Sequence, residues 1–237
     1  MTAPLDAPLD ASLGAPGTAP RPPRVRRRSF ATAIVVALSA VPLAWIAWSA
    51  YSDRLGANPI REIVIQTGLW TLRFLALSLA VTPLRRVSGW NSIIRQRRTL
   101  GLVTFFYATV HLSSYIGLDQ AFVWDDIVHD VLKHRYTFVG MATWLTLVPL
   151  ALTSTKASIR RLGGRRWNQL HRLVYLTAIG GTVHYLWSVK KDTTNPLLYL
   201  LLFVALLGVR LAWWSRKRAA ERAALNAAPL TVKQGNS

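Results

Sequence analysis

The chain of 237 residues contains no cysteine, two methionines, and ten acidic residues against 29 basic ones. Without cysteine there are no disulfides, iron–sulfur clusters, thiolate-ligated haem or covalent c-type haem attachment. Histidine is left as the one strong soft-metal ligand, and there are five. No G-x-G-x-x-G follows a strand pattern, which excludes a Rossmann-type nucleotide domain. HExxH and GxSxG are also missing, so intramembrane proteolysis has no visible apparatus. Charged side chains make up only 16% of the residues, while 51% are hydrophobic.

That imbalance is concentrated in six apolar runs, at Ser29–Tyr51, Ile63–Leu84, Thr99–Leu118, Tyr136–Thr155, Leu173–Val189 and Thr193–Ser215. A bilayer core of about 30 Å takes roughly 20 helical residues to cross, which is the length of these runs. A water-soluble bundle would show a polar face along each helix, and these segments are apolar around most of their circumference. The fold expected is therefore all-α, a six-transmembrane-helix bundle over residues 29–215. Residues 1–28 are rich in Pro, Ala and Arg and are expected to be disordered. Residues 216–237 read as a short basic tail. No internal repeat is evident.

The formal net charge of +19 does not point to nucleic acid. Basic residues gather at Arg21–Arg28, Arg85–Arg98, Lys156–Arg166 and Arg216–Arg222, which are alternate ends of the runs. The intervening connections hold few of them, and one carries Asp119, Asp125, Asp126 and Asp130. This is the positive-inside pattern, with both termini cytoplasmic. Arg27-Arg28-Ser29-Phe30 before an apolar run has a faint twin-arginine look. The run that follows is too long for a signal peptide and long enough to span.

Ionisable groups within a membrane span are costly and mark function. His111 lies 12 residues beyond Thr99, about 18 Å of helical rise from the inner boundary. His184 lies 11 residues beyond Leu173, roughly 16–17 Å up its own helix. Two imidazoles at one depth on two helices are what a haem iron needs for axial ligation. His171 sits about 20 Å lower, and Arg98, Thr99 and Leu100 occupy that level on the helix of His111. One haem held by His111 and His184 is therefore favoured. His171 is an alternative ligand or belongs to a second site at the inner surface. His129 and His134 fall in an outer loop and are expected to be solvated.

Arg73 lies 12 residues before Arg85, at the depth of the histidine pair. It either neutralises a haem propionate, an anionic flavin or a semiquinone, or bonds to helix carbonyls. Met141 reads as core filler, with axial ligation as the alternative. Eight tryptophans suit interfacial belts, whereas Trp70 and Trp144 sit deeper, where a cofactor would pack.

Several stretches resemble a known family. Leu79–Arg86 (LAVTPLRR), Arg97–Leu102 (RRTLGL), His111–Tyr115 (HLSSY), Arg165–Leu176 (RRWNQLHRLVYL) and His184–Lys190 (HYLWSVK) are similar to segments of the ferric-reductase-like membrane cytochromes b. More narrowly they resemble MsrQ, the family of haem-binding membrane subunits of the bacterial periplasmic methionine-sulfoxide reductase system. The resemblance runs from about Ile60 to Trp214. It implies a b-type haem, an FMN, electrons from the quinone pool, and a periplasmic molybdopterin-containing catalytic subunit that repairs oxidised proteins. It also implies that this chain transfers electrons and leaves catalysis to the partner. The family's helix-3 histidine falls on His111 and its two helix-5 histidines on His171 and His184. Arg97, Arg98, Arg165 and Arg166 are candidates for the flavin phosphate, although topology also explains them.

The competing reading is a small multi-pass transporter in which Arg73 and the histidines relay a substrate or protons. Mid-span Gly/Pro breaks and repeated halves, the marks of such folds, are missing.

Overall fold

The computed structural model describes residues 26–227, and every regular element in that range is helical. The expected disorder before residue 26 and the tail beyond residue 227 lie outside the described residues. The elements are α1 (Arg26–Tyr51), α2 (Pro59–Ser88), α3 (Gln96–Ser114), α4 (Trp124–Lys133), α5 (Arg135–Leu152), α6 (Lys156–Leu170), α7 (Leu173–Ser188) and α8 (Thr194–Ala227). A 3₁₀ turn at Asn91–Arg95 leads into α3, and a π turn at Tyr115–Asp119 ends it.

Each of the six apolar runs lies on a helix, and local chemistry sets several boundaries. The side chain of Asn58 accepts from the Arg61 N–H and Pro59 opens α2, where its missing donor costs nothing. Gly89 closes the same helix at φ 69°, with its N–H donating to the Arg85 carbonyl. Among the described residues four helical spans are long and apolar enough to cross a membrane: Phe30–Tyr51, Pro59–Ser88, Asn91–Asp119 and Thr194–Ala224. A fifth is reached if α5 and α6, which meet at 108°, count as one bent span. The 16 residues of α7 rise only about 24 Å.

Two connections expected to be loops are helices. Between α3 and α5, α4 buries Ile127 and exposes Trp124, Val128 and Leu132 in an i, i+4, i+8 stripe. Between α5 and α7, α6 exposes Lys156, Arg160, Arg161, Arg165 and Arg166 and is broken at Gly163, where φ is 72° and ψ 153°. The apolar stripe of α4 beside its acidic residues suits a helix lying along a membrane surface.

The core is formed by α2, α3, α5 and α7. Leu72, Leu75, Ala76 and Leu79 of α2 pack with Ala178 of α7 and Phe203 of α8. Ala108 of α3 packs with Leu147 and Leu150 of α5. Tyr107 of α3 ties α1 to this core. Its hydroxyl donates to the Ser39 carbonyl at 2.6 Å and accepts from the Leu43 N–H at 3.2 Å, entering the helix ladder beside Pro42. Proline cannot donate and crowds the preceding turn, so α1 offers polar atoms there.

Candidate functional site

His111 and His184 come from different helices and meet in the bundle interior, with ring centroids 6.0 Å apart and planes at 73°. Each ring is fixed by the main chain of the adjacent helix. His111 Nδ1 lies 2.9 Å from the Val64 carbonyl of α2, with Thr67 Oγ1 at 3.4 Å. His184 Nδ1 lies 2.7 Å from the Tyr136 carbonyl of α5. A carbonyl oxygen can only accept, so Nδ1 carries the proton in both rings. The lone pair is then on Nε2, the arrangement that carbonyls bonded to the other ring nitrogen impose on metal-binding histidines.

The donor set decides what such a pair can hold. A metal–imidazole bond is about 2 Å, so two imidazoles across one metal have centroids roughly 6 Å apart. The observed spacing matches. Among the described residues no group of three or more His, Asp or Glu side chains could hold a metal ion. A metal between these two nitrogens must therefore bring its other ligands with it, as the iron of a porphyrin does. The residues fit a bis-histidine haem.

His171 stands apart from this pair, in the turn between α6 and α7. Its ring stacks on Trp167 with centroids 3.8 Å apart, and its Nε2 lies 3.1 Å from Thr153 Oγ1. Burial, reinforced by the Arg97 guanidinium, holds its pKa below the usual imidazole value. It lines a cavity of about 400 Å³ whose walls include Leu75, Leu147 and Val174 and whose rim carries Arg95, Arg97 and Arg98. Arg165 and Arg166 are exposed on α6 and are not among the lining residues.

Arg73 bonds to the Tyr199 hydroxyl of α8 at 3.3 Å and lies 4.4 Å above the Trp70 ring, so its partners are aromatic side chains and not helix carbonyls. Trp144 donates to Thr109 Oγ1 and stacks on Phe105, filling the α3–α5 seam. His134 lies between α4 and α5 and is half exposed, but it has a partner. Its Nδ1 lies 2.7 Å from Asp130 Oδ1, while Tyr115 and Thr137 donate to Asp130 Oδ2 at 2.7 and 2.9 Å. Tyr136 lies between His134 and His184, with centroids 5.6 and 6.3 Å away.

Sequence reasoning missed three features. Arg210 of α8 reaches the Leu79 carbonyl and the Tyr175 hydroxyl, lies within electrostatic reach of Arg97, and keeps a buried Nε with no partner among the described residues. Gly68 and Gly140 underlie the two imidazoles. The third is a register: Val64, Gly68 and His111 recur as Tyr136, Gly140 and His184, 72 or 73 residues later. The same offset places Arg98 opposite His171, so α3 offers no histidine at the inner level. The repeat is legible at these offsets, since Thr109-Val110-His111 recurs as Thr182-Val183-His184, Thr104 as Thr177 and Gly68 as Gly140, so the expectation of no internal repeat is corrected.

Residues 67–182 match the family model of the ferric reductase like transmembrane component. A relative from Rhodospirillum rubrum is 49% identical over 183 residues, covering 77% of this chain and 88% of the relative. One from Xanthomonas oryzae pv. oryzae is 46% identical, covering 78% and 84%. A third, from Herminiimonas arsenicoxydans, is 41% identical, covering 86% and 93%. Each is a protein-methionine-sulfoxide reductase heme-binding subunit, MsrQ. The chain belongs to the MsrQ family. No solved structure matches it. The family match agrees with the resemblance carried by the histidine and arginine segments, and MsrQ relatives share most of their length with the membrane domain described above.

Proposed function

We propose that this chain is a membrane b-type cytochrome, the haem-binding subunit of a methionine-sulfoxide reductase system, with His111 and His184 as axial ligands. The observation that carries this is the facing pair of imidazoles, each with Nδ1 bound to a carbonyl and Nε2 left free for iron. When bound, the haem supplies one-electron redox chemistry, and the protein supplies ligands, orientation and a dry environment. The bundle interior excludes water, Val64 and Tyr136 hold the ligand protons, and Arg73 supplies a positive charge for an anionic cofactor group.

Electrons pass from the quinone pool on the inner side to a periplasmic molybdopterin-containing subunit, which performs the reduction that repairs proteins. FMN takes part as the inner relay. The cavity beside His171 supports that placement, with apolar walls, an aromatic stack, and Arg97 and Arg98 on its rim for a phosphate. Arg97 and Arg210 have no carboxylate partner among the described residues, which suits an anionic ligand there. All six apolar runs cross the inner membrane, with α5 packed on α7 as α2 is packed on α3, and both termini lie in the cytoplasm.

Absorption spectra of purified protein test the central assignment. Wild type is expected to show a bis-histidine haem band, and His111→Ala and His184→Ala are each expected to lose it. A wild type without haem absorption, or both variants with normal haem, would overturn the reading.

A further inference from the structure

Beneath each imidazole of the pair lies a glycine of the neighbouring helix. A Cβ on Gly140 would stand 2.7 Å from His184 Nδ1 and 2.8 Å from Cε1. One on Gly68 would stand 3.0 Å from His111 Cε1 and 3.2 Å from Nδ1. Both glycines are in helix interiors, where glycine is less favourable than alanine. Neither has a positive φ, so backbone conformation does not require them.

Their positions relative to the bonded carbonyls explain them. Each glycine is four residues beyond the carbonyl that holds the ring, Gly68 after Val64 and Gly140 after Tyr136. A helix carbonyl already accepts from the N–H four residues on, so a side chain must use its second lone pair. The approach to that lone pair passes beside residue i+4, where a side chain would otherwise stand. Ordinary close packing of helices would bring backbone against glycine, but the atoms met here are those of the imidazole rings. The device occurs twice, at the same register, on two antiparallel helix pairs.

We propose that Gly68 and Gly140 are positioning residues of the haem site. Each leaves the gap through which an imidazole reaches a main-chain carbonyl and presents Nε2 to iron. The proposal rests on His111 and His184 as ligands. A free side chain would swing away from an added methyl group at little cost. These rings are held by the carbonyl on one side and by the metal on the other, so displacement must break one of the two.

The test uses full-length protein in detergent as wild type, Gly68→Ala, Gly140→Ala and Gly101→Ala. In the last of these a Cβ would meet only Ser78 Oγ, at 3.8 Å. Haem transfer to excess apomyoglobin and the haem midpoint potential are measured for each. Loss of an outer-shell partner weakens a metal site about 10–100-fold. Gly140→Ala is expected to release haem faster by about that factor, Gly68→Ala by less, and Gly101→Ala at the wild-type rate. The potential should rise in the first two, because a ligand without its carbonyl bond is less basic and stabilises ferric iron less. If Gly140→Ala does not fold, Gly68→Ala decides, since its contact is milder. Wild-type haem release and potential in the folded glycine variants would overturn the proposal, as would equal loss in Gly101→Ala. Wild type without haem would instead overturn the ligand assignment beneath it.

Discussion

A histidine buried against a main-chain carbonyl has only one useful tautomer, and that constraint separates the three histidines of this bundle. His111 and His184 each give their Nδ1 proton to a helix carbonyl and keep Nε2 free. His171 has its Nε2 against the Thr153 hydroxyl and its face on Trp167. His171→Ala is therefore expected to keep the haem of the other two while losing reduction by a quinol donor. Stopped-flow reduction of the haem band would check it, and loss of all haem would make His171 a ligand. Arg73→Leu should retain haem and raise no barrier to folding, since Arg73 holds only aromatic partners. Its expected effect is a lower haem midpoint potential, because a nearby cation favours the ferrous state. An unchanged potential would remove Arg73 from the cofactor's surroundings.

At the scale of elements, two junctions decide how the helices are held. Tyr107 bridges the Ser39 carbonyl and the Leu43 N–H of α1. Tyr107→Phe leaves buried polar groups unpaired, at a cost of about 1–3 kcal/mol. A lower thermal unfolding midpoint in detergent is the expected result. Asp130 joins α4 to the π turn after α3 and to the start of α5 through Tyr115, His134 and Thr137. Burial alone would raise its pKa, but hydrogen bonds from Tyr115, Thr137 and His134 outweigh it and hold the carboxyl below its ordinary value. A lowered folded pKa means stability that is complete above the ordinary carboxylate value and lost as pH falls through the lowered one. Protection of the α4 amides, relative to their intrinsic exchange rates, should fall on acidification through that window, and Asp130→Asn should show low protection at every pH.

Over the whole molecule, the helix pairs set the site, and the proposed orientation rests on charge. Fusions after Trp214 should report a cytoplasmic C-terminus, and a reporter in the Gln120–Val123 turn should report the periplasm. In the proposed function a periplasmic partner docks on the face that carries Asp125 and Asp126. Reversing both charges is expected to slow electron delivery to that partner without altering haem content, read as partner-dependent haem reoxidation. Unaltered delivery would move the docking surface elsewhere.

The six apolar runs were legible because a bilayer demands long uninterrupted hydrophobic helices, a requirement written residue by residue. The common level of His111 and His184 was legible for the same reason, since helical rise converts sequence number directly into distance. The helices α4 and α6 were not, because their polar residues read as loop. His134 does lie between helices, but its partner Asp130 is visible only once the preceding segment is a helix.

What the sequence determined by itself was the set of apolar helices, their alternating charge and the common level of His111 and His184, all one-dimensional quantities along a helix axis. Tertiary structure decided which faces meet: that the two imidazoles come together, that the Val64 and Tyr136 carbonyls accept from them, and that Gly68 and Gly140 lie against the rings. Those are rotations about helix axes and contacts between segments far apart in the chain. Apolar spans with little amphipathic bias carry almost no signal of rotation, so only packing of the helices against one another could fix it.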